Sequence, residues 1–263
     1  MQLRQIAFVG VIATCIAGLA VDIFLRRDED RFDARVHDYL AAHPEVLLEM
    51  SQSLQQRQAA AQQAALQSAK TAIDANHAAI FDDGRDGVVG NAAGDVTVAI
   101  FEDKECPYCK AVVPDLAKLA AADPGVRIVY KEFPILGPGS VTAARAVLAA
   151  IAQGKFEAFN AALFADKTPE HQLSEAHIFE IAQANGLDVT RLKADMTAPA
   201  IDAVIAANQE LARKIGINGT PGIIVGDTLM PGAVPYQTLV QAVADERRRV
   251  TAARQTNEPR QIN

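Results

Sequence analysis

Two cysteines set three apart, Cys106 and Cys109, are the residues of this chain best suited to chemistry. They enclose Pro107 and Tyr108, follow an apolar run from Val96 to Phe101, and precede a helix-like run from Lys110 to Ala122. At the start of a helix, residues i and i+3 share a face, so the two sulfurs can bridge without dragging the backbone. Closing so small a ring removes little chain entropy. Such a bond is a poor staple and suits being made and broken. The free N–H groups and the dipole of a helix start favour an anion, which would stabilise a Cys106 thiolate. Pro107 fits the first helical position, where its missing N–H would be unpaired anyway.

The remaining cysteine, Cys15, falls in an N-terminal apolar run, where it reads as a small hydrophobic residue. The folded part therefore holds one cysteine pair and is not a disulfide-stapled scaffold. A structural zinc site needs four ligands, usually two close pairs, and no second pair of Cys or His stands near. No resident metal and no cofactor are expected. A net charge of -7, without a basic stripe, argues against nucleic acid as partner. With 263 residues, half of them apolar, the chain can build one large domain plus an extension.

Several elements must position the cysteines. Residues 1–25 read as a targeting segment, with Arg4 ahead of an uncharged run from Ile6 to Ala20 and a small-x-small site at Gly18-Leu19-Ala20. A cleaved signal peptide and an uncleaved anchor over residues 6–25 both fit, and the run length favours the first. Either places the rest outside the cytoplasm, where disulfides persist. Residues 31–82 read as a helical N-terminal extension. Phe32, Val36, Tyr39 and Leu40 recur at helical spacing, His43-Pro44 interrupts, and a thin seam of Leu47, Met50, Leu54, Arg57, Ala61 and Ala64 follows. Such a stripe is too narrow for its own core. It either bridges as a solvated spacer or pairs with other copies through residues 31–80.

The turn cluster Asp82–Gly87 marks a boundary, with the second domain expected over residues 86–250. Val88-Val89 reads as an edge strand, Val96–Phe101 as a buried central strand, and Val126–Tyr130 as its neighbour across a helix that Pro114 should kink. Strand, helix and strand form a right-handed crossover with the cysteines at the first strand's C-terminal end. Residues 140–215 read as four or five helices, Gly226-Asp227 as a hairpin turn, and Pro235–Val250 as a closing helix before a polar tail, 251–263. The fold class is thus α/β. Arg247-Arg248-Arg249 reads as a solvated helix end, and His171 and His177 as surface histidines.

A crossover unit with Cys106-Pro107-Tyr108-Cys109 at its first helix, a long helical insertion, then Thr220-Pro221-Gly222 before a hairpin resembles the DsbA-like branch of the thioredoxin superfamily. The stretch Tyr130-Lys131-Glu132-Phe133-Pro134-Ile135-Leu136-Gly137 also matches. The segment from Tyr39 to Leu47 is similar to the helical extension of ScsC-type proteins of copper tolerance. The resemblance implies a thioredoxin-like fold with a helical insertion and a periplasmic thiol–disulfide oxidoreductase. Cys106 would be the exposed nucleophile and Cys109 the resolving cysteine. Pro107, Tyr108, Thr220 and Pro221 would face the substrate, with Pro221 preceded by a cis bond. Implied partners are exported proteins bearing thiols or disulfides and a membrane redox partner.

One departure stands out. The family often buries an acid six residues before the nucleophile to shuttle a proton, and here that residue is Ile100. Glu102 lies two further on, on the same strand face. It either substitutes for that acid or sits at the surface of the strand end. Lys131 matches a recurrent lysine and is expected to pair with Glu102. Glu102, Asp103 and Glu105 crowd the Cys106 side, so the Cys106 pKa should fall less than in the strongest oxidases. Two functions compete: an oxidoreductase, working as oxidase if monomeric or as isomerase or reductase if oligomeric, and a binding protein that captures copper(I) with Cys106 and Cys109 as soft ligands.

Overall fold

The computed structural model describes residues 32–257. The targeting segment, with residues 6–25 and Cys15, lies outside them, as does the tail beyond Asn257. By its internal contacts the chain divides into two units, Met1–Ala64 and Ala65–Asn263. Residues 32–42 are helical (α1) and α2 runs from Pro44 to Ala75. Pro44 opens α2 as its first residue, the place where a missing N–H costs least. In the first unit Phe32, Tyr39, Leu47, Met50 and Leu54 are all exposed. No helix among the described residues is long and apolar enough to cross a membrane.

In the second unit a short helix, α3 (His77–Phe81), leads to five strands: β1 (Gly87–Gly90), β2 (Val96–Glu102), β3 (Val126–Glu132), β4 (Gly222–Val225) and β5 (Thr228–Pro231). The sheet order is β1-β3-β2-β4-β5. Only β2 and β3 are parallel, in register from Val96 opposite Val126 to Glu102 opposite Glu132. Their crossover is α4 (Pro107–Ala122). Pro114 lies inside this helix without ending it. The two-residue turn between β4 and β5 places Gly226 at φ 58°, a conformation that favours glycine.

Side-chain alternation divides β2 and β3 between two cores. Val96, Val98 and Ile100, with Val126, Ile128 and Tyr130, face the core built with α4 and the helical insertion. Ala99 and Phe101 face a second core that contains Ile73, Ile80, Phe81, Phe133, Leu211 and Ile215. Residues from the end of α2 and from α3 thus belong to the sheet's own packing. That burial puts the division after Ala64 rather than at the Asp82–Gly87 turn, which is a tight entry to β1.

The insertion is five helices: α5 (Pro138–Ile151), α6 (Phe156–Ala165), α7 (Glu175–Ala184), α8 (Val189–Asp195) and α9 (Pro199–Ile215). The breaks fall at Gly154, at Thr168-Pro169, at Asn185-Gly186 and before Pro199, as the breaker residues require. Ser174 and Asp188 cap α7 and α8 by accepting from the His177 and Arg191 amides. The closing helix α10 extends from Tyr236 to Asn257, so the arginine run is not a helix end. Arg247 is bound to both Asp95 and Asp123, clamping α10 to the turns that flank β2 and α4.

Lys131 departs from its expected pairing with Glu102. It stands opposite Phe101 in the ladder, on the other face of the sheet from Glu102. Fully buried there, it donates to Asp86 and to the Ala79 carbonyl at 2.6 Å, while Asn208 donates to the second Asp86 oxygen at 3.1 Å. This buried pair ties β1, β3, α3 and α9 together. Replacing Asp86 with Ala strands a buried ammonium, and urea unfolding should show a loss of about 3–5 kcal/mol.

Candidate active site: the Cys106–Cys109 dithiol

The site forms where β2 ends and α4 begins. Asp103 folds the intervening loop around its own carboxylate. It accepts from the Glu105 amide at 2.8 Å, from the Ile135 and Leu136 amides at 2.7 and 3.0 Å, and from the Ser140 hydroxyl at 2.6 Å. Glu105 accepts from the Leu173 amide at 3.0 Å. The loop is thereby fastened to the start of α5 and to the segment before α7. Cys106 is the N-cap of α4, Pro107 occupies the first turn, and the Cys106 carbonyl accepts from the Lys110 amide at 3.0 Å.

Cys106 and Cys109 are free thiols. The expectation of an exposed nucleophile needs correction. Cys106 is 4% exposed and Cys109 is fully buried, whereas Tyr108 is 66% exposed. The N-cap position tucks Cys106 beneath the loop before β4. There its Sγ lies 3.3 Å from the Thr220 carbonyl, and the Thr220–Pro221 bond is cis. Thus Cys106, Cys109, Thr220 and Pro221 come together, with Pro107 and Tyr108 at the rim. A groove of about 560 Å³ opens beside them, lined by Tyr108, Thr220, Pro221, Leu229, Pro231 and Ala233 among others.

The two thiols differ sharply. The Cys106 pKa is lowered to about 6, chiefly by hydrogen bonding to Cys109; burial opposes this, and Thr220 and the backbone at Cys109 and Tyr108 add to the lowering. Cys109 is pushed far up, first by burial, then by its hydrogen bond to Cys106 and by the charge of Glu102. The sequence reading looks to neighbouring acids to oppose this lowering, and the structure gives another cause. Asp103 and Glu105 are occupied within the loop, and Glu102 acts on Cys109; burial is what holds the Cys106 pKa up.

Ile100 packs in the apolar core with Cys109. Glu102 is fully buried, so its reading as a surface residue at the strand end does not hold. It accepts from Lys104, which also donates to Glu132 at 2.7 Å and lies over the Phe164 ring at 4.7 Å. The sequence reading names Asp103 only as a charge near Cys106 and does not single out Lys104, Glu132 or Ser140, which hydrogen bonds bring to this end of the sheet. One signal was available: strands aligned at a constant offset put the two terminal glutamates opposite each other. Among the described residues no cluster of three or more His, Cys, Asp or Glu is placed to hold a metal ion.

A folded pKa near 6 against an ordinary value of 9.0 fixes the direction of a pH effect. A depressed pKa means that the folded dithiol binds fewer protons than the unfolded chain between these values. The thermal midpoint of the reduced protein should rise from about pH 6 to 9 and lose that part of its rise in Cys106→Ser. The alkylation rate of Cys106 should be half-maximal near pH 6; a midpoint well below pH 5 would contradict this geometry.

Residues 97–244 match the DSBA-like thioredoxin domain, and residues 28–61 match the copper resistance protein ScsC N-terminal domain. A thioredoxin-like oxidoreductase from Silicibacter pomeroyi DSS-3 is 46% identical, over 66% of this chain and 98% of its own, with a TM-score of 0.62. Proteus mirabilis ScsC in a transitional conformation is 30% identical over 84% of this chain and 98% of its own, at 0.63. Salmonella enterica Typhimurium BcfH is 29% identical over 87% and 99%, at 0.67. In sequence, 164 residues are 29% identical to a Na(+)/H(+) antiporter NhaA 3 of Salinispora tropica, and the chain spans about a quarter of that protein's length. With more than half its length matched, and with a parallel crossover carrying the dithiol against Thr220-Pro221, this chain belongs to the DSBA-like thioredoxin domain family and carries an ScsC N-terminal domain ahead of it.

Proposed function

We propose that the protein is a thiol–disulfide oxidoreductase acting on exported proteins in the periplasm. The observation that carries this reading is the asymmetry of the dithiol: Cys106 ionises near neutral pH beneath Thr220, while Cys109 is held protonated behind it. A client thiolate attacks Cys106 of the Cys106–Cys109 disulfide, and Cys109 leaves. A second client thiol then attacks the client sulfur of the mixed disulfide and releases Cys106, or Cys109 attacks Cys106 and releases the client thiol. The Thr220 backbone offers an edge to an extended client chain, and the groove beside Tyr108 and Pro221 accepts its apolar side chains. A membrane redox partner resets the pair. The membership of the family and the apolar run of residues 6–25 support export.

The exposed Phe32, Tyr39, Leu47, Met50 and Leu54 support self-association through residues 31–80. Several dithiols would then surround one client, an arrangement suited to isomerisation or reduction. The same reduced pair offers two soft thiolates to copper(I), which keeps copper capture as the second reading; the match to a copper resistance protein's N-terminal domain favours keeping it.

Refolding of scrambled ribonuclease tests the enzyme reading. Activity should be present in the natural protein and abolished in Cys106→Ser, while Cys109→Ser should accumulate mixed disulfides with the client. Tight copper(I) binding without refolding activity would reject it. Light scattering should find the full chain oligomeric and a chain starting at Ala65 monomeric, and two monomers would reject the oligomeric isomerase.

A further inference from the structure

A glycine lowers the stability of a folded chain relative to alanine wherever alanine fits. A fold requires glycine in two circumstances: a left-handed φ, or a neighbour standing where a Cβ would go. Every glycine among the described residues but one meets one of them. Gly216, which ends α9, has φ 80°, and a Cβ on Gly222 would fall 2.8 Å from the Ile217 side chain. Gly219 is the exception. Its φ lies outside the left-handed range, and nothing stands within 4 Å of its Cβ position.

Gly219 is not a hinge either, because the chain is pinned on both sides of it. The Ile217 amide donates to the Ala212 carbonyl at 2.8 Å, and the Ile217 side chain is buried in the second core. The Pro221 carbonyl accepts from the Gly232 amide at 2.7 Å. Between these anchors Gly219 is exposed in the wall of the groove beside Tyr108 and Pro221. It stands one residue before Thr220, whose carbonyl lies 3.3 Å from Cys106 Sγ. Among the described residues nothing bonds to the Gly219 amide or carbonyl, or to the Thr220 amide. A stretch of bare, unpaired backbone is thus held in a fixed place next to Cys106.

We propose that Gly219 sets the client class: its missing side chain lets the backbone of an extended polypeptide lie against Gly219 and Thr220, so that the site prefers a cysteine within an unfolded chain to a small thiol or disulfide. The inference rests on the thiol–disulfide reading above. A disulfide keeps its two Cα atoms about 5.5–6 Å apart, close to the ~4.8 Å spacing of paired strands. A client cysteine joined to Cys106 is thereby laid alongside Thr220, and the next client residue, ~3.3 Å further along, comes over Gly219. There the client's main chain meets the unpaired Gly219 and Thr220 groups. A Cβ at position 219 projects into open space and meets that chain. A small disulfide carries no atoms so far from its sulfur.

Two disulfide probes with the same leaving group test this on the full chain. Thionitrobenzoate is joined through a disulfide either to mercaptoethanol or to the cysteine of a short unfolded peptide. The Cys106 thiolate attacks the alkyl sulfur of the probe. The bond from Cys106 to that sulfur forms, the bond to thionitrobenzoate breaks, and thionitrobenzoate leaves with the electron pair and is read by its colour. The natural protein should react faster with the peptide probe than with the mercaptoethanol probe. With the peptide probe Gly219→Ala should react about 10-fold more slowly and Gly219→Val about 10²-fold more slowly, the range for added methylenes at a binding site. Both should keep the natural rate with the mercaptoethanol probe. The thermal midpoint of Gly219→Ala should match or exceed that of the natural protein, as it does where alanine fits. Equal losses with both probes, an unchanged peptide rate in Gly219→Val, a natural protein that does not favour the peptide, or a lowered midpoint in Gly219→Ala overturns the inference. A natural protein that reacts with neither probe overturns the functional reading instead.

Discussion

Everything at the site depends on the parallel pairing of β2 with β3. Seven residue pairs at one constant offset lock the two strands from Val96 opposite Val126 to Glu102 opposite Glu132. Because side chains alternate, this single register decides which residues meet. Ile100 and Tyr130 enter the core beneath Cys109, Phe101 and Lys131 turn to the opposite core, and the two terminal glutamates are brought face to face. A slip of β3 by one residue would turn its set over, putting Lys131 on the face of the cysteines and Glu132 on the face of Ile73 and Phe133. The ladder also ends where α4 must start, so the N-terminus of that helix is aimed at Cys106.

The helical insertion belongs to the same arrangement through the loop before Cys106. Asp103 binds the amides that begin the route to α5 and the Ser140 hydroxyl in its first turn, while Glu105 reaches the Leu173 amide. Two acids that looked, in the linear chain, like neighbours opposing a thiolate are in fact consumed in backbone hydrogen bonds. Their work is positional: they set the entry to α4 and join the insertion to it. The thiolate is left to be governed by Cys109, Thr220 and burial.

That assignment explains how one small ring can hold two unlike sulfurs. Cys106 sits at the helix cap with donors around it, whereas Cys109, one turn deeper, is surrounded by apolar side chains and feels the charge of Glu102. The difference leaves Cys106 the readily ionised sulfur and Cys109 the one that keeps its proton. The buried Glu102–Lys104–Glu132 set on the same sheet face, and the Lys131–Asp86–Asn208 set on the other, are physically alike but differ in charge balance. In the latter one lysine meets one carboxylate. In the former one lysine meets two.

The sequence by itself determined the crossover unit, the cysteine pair at the helix cap, the hairpin at Gly226-Asp227, the breaks between the insertion helices and the family. These follow from local rules: apolar alternation, glycine and proline at turns, and helical spacing act over a few residues and survive in a linear string. Only the tertiary structure decided that Lys131 serves Asp86 rather than Glu102, that Ile73, Ile80 and Phe81 belong to the sheet's second core, that Arg247 clamps Asp95 and Asp123, and that Glu102 is buried with a partner thirty residues away. Each of these is a contact between distant segments. Which face a charged side chain takes, and how many opposite charges it meets there, depends on register and on what packs above it, and no local pattern carries that information.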